Sequence, residues 1–99
     1  MSTRTEVEAA AALLSCMANP TRLAVLTALV EEGAQPVGAL ADALGVEQTA
    51  LSHQLRLLRE GGLVVSEPAG RRRMYRLADD CVAHIVRAAL VHSAELTAR

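Results

Sequence analysis

The sequence has no lysine, no tryptophan and no phenylalanine, and Tyr75 is its single aromatic residue. Apolar residues still make up 52% of the 99 positions, so the core has to be assembled from Leu, Val, Ala and Ile. That length provides for one domain, 1–99, and excludes a second. No apolar run approaches the roughly 18 residues of a membrane span. Glu6 and Glu8 stand where a signal peptide requires a basic start and an unbroken apolar stretch. A cytoplasmic chain with no membrane partner is expected. Repeats and low-complexity linkers are missing, and charged residues at 21% alongside abundant Leu, Val and Ala exclude a disordered chain. There is no phosphate-cradling glycine loop and no nucleophile–base motif, so no enzyme is expected. A chain this small buries only about two-thirds of its unfolded surface, which favours an oligomer.

Acidity is not evenly spread. The net charge is −1, yet between Val46 and Arg76 six arginines (56, 59, 71, 72, 73, 76) face three acids (47, 60, 67), a local +3. The rest has four arginines against eight acids, a local −4. Without lysine, every basic side chain is a planar guanidinium suited to bidentate contact with phosphate or guanine.

Punctuation divides the chain into helices. Glu6 to Met17 is Ala/Leu-rich and unbroken by Gly or Pro, and Asn19-Pro20 then supplies a cap followed by proline at the first helical position. The second helix runs from Pro20 to Glu31-Glu32-Gly33. Pro36 opens a third helix through Val37, Leu40, Ala41 and Leu44, stopped by Gly45. Gln48 to Glu60 repeats the helical period through Leu51, Leu55 and Leu58 and ends at Gly61-Gly62. Leu63-Val-Val-Ser-Glu and Arg71-Arg-Arg-Met-Tyr-Arg-Leu77, around Pro68-Ala-Gly, read as two strands of a β-hairpin. Asp79 or Asp80 then caps a final helix to about Thr97. The expected fold is mainly α with a β-hairpin, in the order α-α-α-α-β-β-α.

The pair Val37–Leu44 and Gln48–Glu60, joined by a tight glycine-containing turn, has the form of a helix-turn-helix whose second helix enters the major groove of double-stranded DNA. Gln48, Thr49, Ser52, His53 and Gln54 supply side chains that donate and accept at base edges. Arg56 and Arg59 are placed to clamp phosphates. Arg71, Arg72 and Arg73 beside Gly70 form the tip of a wing that follows the backbone or enters a minor groove. The competing reading makes these an ordinary solvated helix face and a basic tip that protects an edge strand.

At this point the chain resembles the ArsR/SmtB family of winged-helix transcriptional repressors over nearly its whole length. The resemblance is carried by LLSCMANPTRLAVLTALVEEG and by VGALADALGVEQTALSHQLRLLREGGLVVSEPAGRRRMYRL. Its most diagnostic part is Leu51-Ser52-His53-Gln54-Leu55 followed by Leu57-Leu58-Arg59. The resemblance implies a homodimer assembled through the first and last helices, which binds an inverted-repeat operator and represses transcription until an inducer lowers its affinity.

Many members bind a metal between paired last helices through a pattern similar to Asp-x-His, ten residues, then His-x-x-Glu or His-x-x-His. Here the chain reads Asp79-Asp80-Cys81, ten residues, His92-Ser93-Ala94-Glu95. Cys81, Ala88, His92 and Glu95 share one helical stripe at about 100° per residue. Cys81 and His92 are about 16 Å apart along one helix, so an antiparallel partner helix has to bring His92 and Glu95 of the partner subunit to Asp79 and Cys81. The N/O/S donor set suits a divalent transition metal, zinc-like first, with nickel or cobalt as alternatives. His84 flanks the stripe. The alternatives are Cys81 as a small buried apolar residue beside a solvated His92–Glu95 pair, a thiol or redox switch between Cys16 and Cys81, or a DNA binder without a small-molecule inducer. The family's thiol switches pair an early helix with the last one, and their early cysteine corresponds roughly to Thr27 here. The family's arsenic site in the helix-turn-helix lacks its Cys-x-Cys motif here, because Val37 to Leu44 contains no cysteine, so the arsenite-responsive alternative has to use Cys16 and Cys81 with a third ligand from elsewhere.

Overall fold

The computed structural model describes residues 1–98. The order is α1 (Arg4–Met17), α2 (Pro20–Glu32), β1 (Gln35–Pro36), α3 (Val37–Leu44), α4 (Gln48–Glu60), β2 (Val64–Ala69), β3 (Arg72–Leu77) and α5 (Asp80–Thr97). The helices follow the sequence punctuation closely. The first begins two residues before Glu6, because Thr3 and Glu6 close a reciprocal capping box there. In α2, Asn19 Oδ1 accepts from the Thr21 and Arg22 amides (3.0 Å each) ahead of Pro20 at the first position. Asp79, rather than Asp80, caps α5 by accepting from the Val82 amide (3.1 Å).

One element was not legible. Gln35 and Pro36 pair with Tyr75 and Met74, adding a third antiparallel strand in the order β1-β3-β2. Pro36 therefore ends a strand and precedes α3 rather than opening it. Two residues are too few to show a period of two, and proline has no amide for a ladder, so the sequence carries no strand signal here. The pairing matters because it fastens the start of the helix-turn-helix to the wing. Between β2 and β3, Ala69 pairs with Arg72 across a two-residue turn in which Gly70 alone has positive φ (63°), as hairpins with glycine first require.

Helices α3 and α4 are held at their angle by Gly45, which adopts a left-handed conformation (φ 65°, ψ 34°) and lets the Val46 amide bond back to the Ala41 carbonyl at 3.0 Å. The core is aliphatic: Val25, Leu26 and Leu29 of α2, Leu40 of α3, Leu51, Leu55 and Leu58 of α4, Leu63, Val64, and Val82 and Val86 of α5. Among the described residues no polar side chain is buried in it. Only Met17 of α1 is buried, while Val7 and Leu14 of α1 and Leu90, Val91 and Leu96 of α5 stay exposed. No single helix among these residues is long and apolar enough to cross a membrane.

Candidate nucleic-acid interface and inducer face

The amphipathic period of α4 turns Leu51, Leu55 and Leu58 into the core and leaves Gln48, Thr49, Ser52, His53, Arg56 and Arg59 on the surface. An Arg56 Nη2 donor lies 3.0 Å from His53 Nδ1. A guanidinium has no acceptor, so Nδ1 accepts and the His53 proton sits on Nε2. That nitrogen is then a donor suited to base acceptors such as guanine O6 or N7. Gln54 is different: it is half-buried, and its Oε1 accepts from Arg22 Nη1 at 2.9 Å.

The six arginines of the basic segment are not equally free. Arg76 donates twice to Glu67 Oε1 (2.6 and 2.9 Å) across the hairpin, and Arg56 lies 3.9 Å from Glu60. Arg59 from α4 and Arg73 from β3 converge on Ser66 Oγ (3.5 and 2.9 Å), so a strand hydroxyl sets two guanidiniums side by side between helix and wing. Arg71 and Arg72 make no side-chain hydrogen bond among the described residues and stand exposed at the tip. Together with Arg73, Tyr75, Val37 and Gly38 they line a cleft of about 570 Å³ between the wing and the start of α3. Asp42 of α3 also lines this cleft, and the link from α4 to the basic wing runs through Arg59 and Arg73 at Ser66.

On α5, Cys81, His84, His92 and Glu95 are all exposed, which departs from the reading of Cys81 as a buried apolar residue. His92 Nδ1 is 3.8 Å from Glu95 Oε2, with both side chains about two-thirds exposed. Asp79 uses one carboxylate oxygen as the helix cap and keeps the other. One chain gathers no group of three metal-ligating side chains among the described residues, as expected when Cys81 and His92 are three helical turns apart. The chemistry of the donors fits a transition metal: one thiol, one imidazole and two carboxylates, none committed to a buried network. Cys16 is held elsewhere. Its Sγ is 3.7 Å from the Leu57 carbonyl, and a Cβ added to Gly61 would approach it to 2.8 Å. Both cysteines are free, with α1 packed on α2 and α4 and α5 packed on α2 and β3.

A family model described as a helix-turn-helix domain matches residues 17–67. The HTH-type transcriptional regulator NmtR of Mycobacterium tuberculosis is 49% identical over 86 residues, covering 87% of this chain and 71% of NmtR. The HTH-type transcriptional repressor SmtB of the same species is 42% identical over 89 residues, covering 90% of this chain and 65% of SmtB. The chain belongs to the ArsR/SmtB family of winged-helix transcriptional repressors. Its fold superposes on the antimony-specific transcriptional repressor AntR with a TM-score of 0.87 at 31% identity, covering 98% of this chain and 87% of AntR. It superposes on the homodimeric winged helix-turn-helix DNA-binding domain of a possible ArsR-family regulator from Mycobacterium bovis with a TM-score of 0.86 at 32% identity, covering 98% and 91%.

Within the family fold, the residues that sequence reasoning missed are those that contact the exposed arginines and Gln54 from other elements. Ser66 looked like an ordinary strand residue, and its double arginine contact needs the hairpin register that sets Ser66 opposite Tyr75. Arg22 lies 32 positions from Gln54 and carries no local signal of that pairing. Glu67 and Arg76 were legible as charges but not as partners.

Proposed function

We propose that this chain is a homodimeric repressor that reads an inverted-repeat operator in double-stranded DNA through α4 and the wing, and that a divalent transition-metal ion held between paired α5 helices releases it. The observation that carries DNA reading is the exposed row of Gln48, Thr49, Ser52, His53, Arg56 and Arg59 on a helix whose Leu51, Leu55 and Leu58 are buried, with the exposed arginines 71 to 73 on the neighbouring wing. The polar side chains read base edges, and the arginines, two of them pre-aligned by Ser66, hold phosphates and fix the register.

Dimerisation is supported by the apolar residues that the protomer fails to bury. Val7 (57% exposed) and Leu14 (51%) on α1, with Leu90 (41%), Val91 (59%) and Leu96 (52%) on α5, leave two helices without a covering layer. A second protomer supplies that layer, and the similar Mycobacterium bovis domain is itself homodimeric. Antiparallel α5 helices then set Asp79 and Cys81 against His92 and Glu95 of the partner subunit, twice per dimer. Such a metal supplies positive charge and fixed coordination geometry that favours one relative orientation of the two wings. Asp79, oriented by its cap contact to the Val82 amide, and Cys81 would hold such an ion together with His92 and Glu95 of the partner subunit. The zinc-like assignment follows from the thiol, and nickel or cobalt would draw on His84 in addition. The placement of Cys16 against α4 favours a second reading, in which a small-molecule persulfide passes its outer sulfur to the Cys16 or Cys81 thiolate, leaves as the reduced thiol, and so displaces the recognition helix. A DNA-binding regulator of this kind acts in the cytoplasm.

The test is a mobility shift on a duplex recovered by the protein from a randomised double-stranded library, with and without zinc, nickel and cobalt. Retarded complexes of dimer stoichiometry that dissolve on metal addition are expected. Complexes indifferent to all three ions but lost on persulfide addition would replace the metal by the thiol reading.

A further inference from the structure

Arg22 occupies an odd position for a cation. It stands in the first turn of α2, where the positive end of the helix dipole repels it, and it is half-buried with no carboxylate paired to it among the described residues. Its guanidinium is spent on two acceptors from different elements. Nε donates to the Cys16 carbonyl at 2.6 Å, and Nη1 donates to Gln54 Oε1 at 2.9 Å. The Cys16 carbonyl is one of the last four of α1, which have no partner inside their own helix, so the negative end of α1 receives the cation that α2 disfavours.

The helical period of α4 shows which side this contact uses. At about 100° per residue, Gln54 points roughly 120–160° away from Gln48, Thr49, Ser52 and Arg56. It instead shares a stripe with Leu57 and Gly61, at i, i+3 and i+7, which carries the Cys16 contacts. The end of α1 therefore meets the inward flank of α4 directly, where Cys16 Sγ lies on the Leu57 carbonyl and beside Gly61, and indirectly, where Arg22 of α2 bridges the Cys16 carbonyl to Gln54.

We propose that Arg22 is a positioning residue for DNA reading: it pins Gln54 to the end of α1, fixes the angle at which α4 presents its outward face, and removes Gln54 from the base-reading set. The inference rests on the DNA-reading proposal above and assigns a role within it. The fork geometry of arginine is essential, because one planar group reaches both acceptors at once while an ammonium is a single point on a flexible stem.

The experiment uses the full chain and the randomised duplex library. Gln54→Glu keeps an acceptor for Arg22 but loses the amide donor, so the enriched sequences should match those of the wild type base for base. Arg22→Met should weaken binding of the wild-type-enriched duplex about tenfold, the worth of roughly 1.4 kcal/mol, equally for matched and singly mismatched duplexes. Amide hydrogen exchange across 48–60 should quicken more than across α2. Should Arg22→Met fail to fold, Arg22→Lys, which retains charge and loses the fork, is expected to show the same uniform weakening. A changed base preference for Gln54→Glu at one position per half-site would overturn the brace and return Gln54 to base reading. A folded Arg22→Met with affinity within twofold of the wild type would overturn it as well. Enrichment of no sequence by the wild type would overturn DNA reading itself, a result distinct from both.

Discussion

Replacing Arg71, Arg72 and Arg73 together with alanine tests how much of the binding energy the wing supplies. Of the six arginines in the basic segment, Arg76 is neutralised by Glu67 at 2.6 Å and Arg56 lies 3.9 Å from Glu60, so the tip holds most of the uncommitted charge. Each phosphate neutralised adds about 0.9 to the slope of log affinity against log salt. Three arginines per protomer then account for up to about 2.7, and two wings on a dimer for up to about 5.4. Between 50 and 200 mM salt, the gap between wild type and variant should narrow by roughly a thousandfold, while the preferred sequence stays the same. Fluorescence anisotropy on a fixed duplex across a salt series measures this directly. The charge-neutral pair Glu67→Ala with Arg76→Ala serves as control: it removes an exposed ion pair worth at most about 1 kcal/mol of stability and should leave the slope unchanged. A triple variant with wild-type slope and affinity would refute the assignment of the wing to the DNA backbone.

His92→Ala and Cys81→Ser should each bind the duplex as tightly as the wild type yet resist release by zinc, read as the anisotropy change on metal addition; release in both variants would move the inducer site off α5. Leu14→Glu and Val91→Glu put charges on the exposed apolar faces and should shift the protein toward monomer at micromolar concentration in sedimentation velocity, with weaker DNA binding as a consequence. Leu55→Ala opens a hole at a fully buried position and should cost about 2–5 kcal/mol, seen as a lowered denaturant midpoint with little change in its slope.

Most of the architecture was legible because its signals are local. Caps at Asn19 and Asp79, stops at Gly33, Gly45 and Gly61-Gly62, and the leucine period of α4 are written within a turn or two of where they act, whereas the Thr3–Glu6 capping box that starts α1 two residues early went unread. The strand at Gln35 and Pro36 was not, since its only reason for existing is an edge of β3 forty residues away. The same distinction divides the site. Which side chains face outward on α4 follows from helical spacing, whereas the half-burial of Gln54 and the bond its Oε1 accepts from Arg22 on another helix have no local signal. Likewise the +3 charge of the segment was countable, but its division into paired and free arginines depends on hairpin register, which places Glu67 diagonally from Arg76 and Ser66 beside Arg73. The α5 donors show the limit most plainly: one chain spreads them along a helix, and no three of them meet among the described residues.

The most direct test of DNA reading is a titration of isotopically labelled protein with a duplex enriched from the randomised library, followed by backbone amide chemical shifts. The largest changes should fall on residues 48–56 of α4 and 70–73 of the wing, with α1 and the second half of α5 nearly unmoved. Shifts centred on α1 and α5, with α4 and the wing silent, would contradict it.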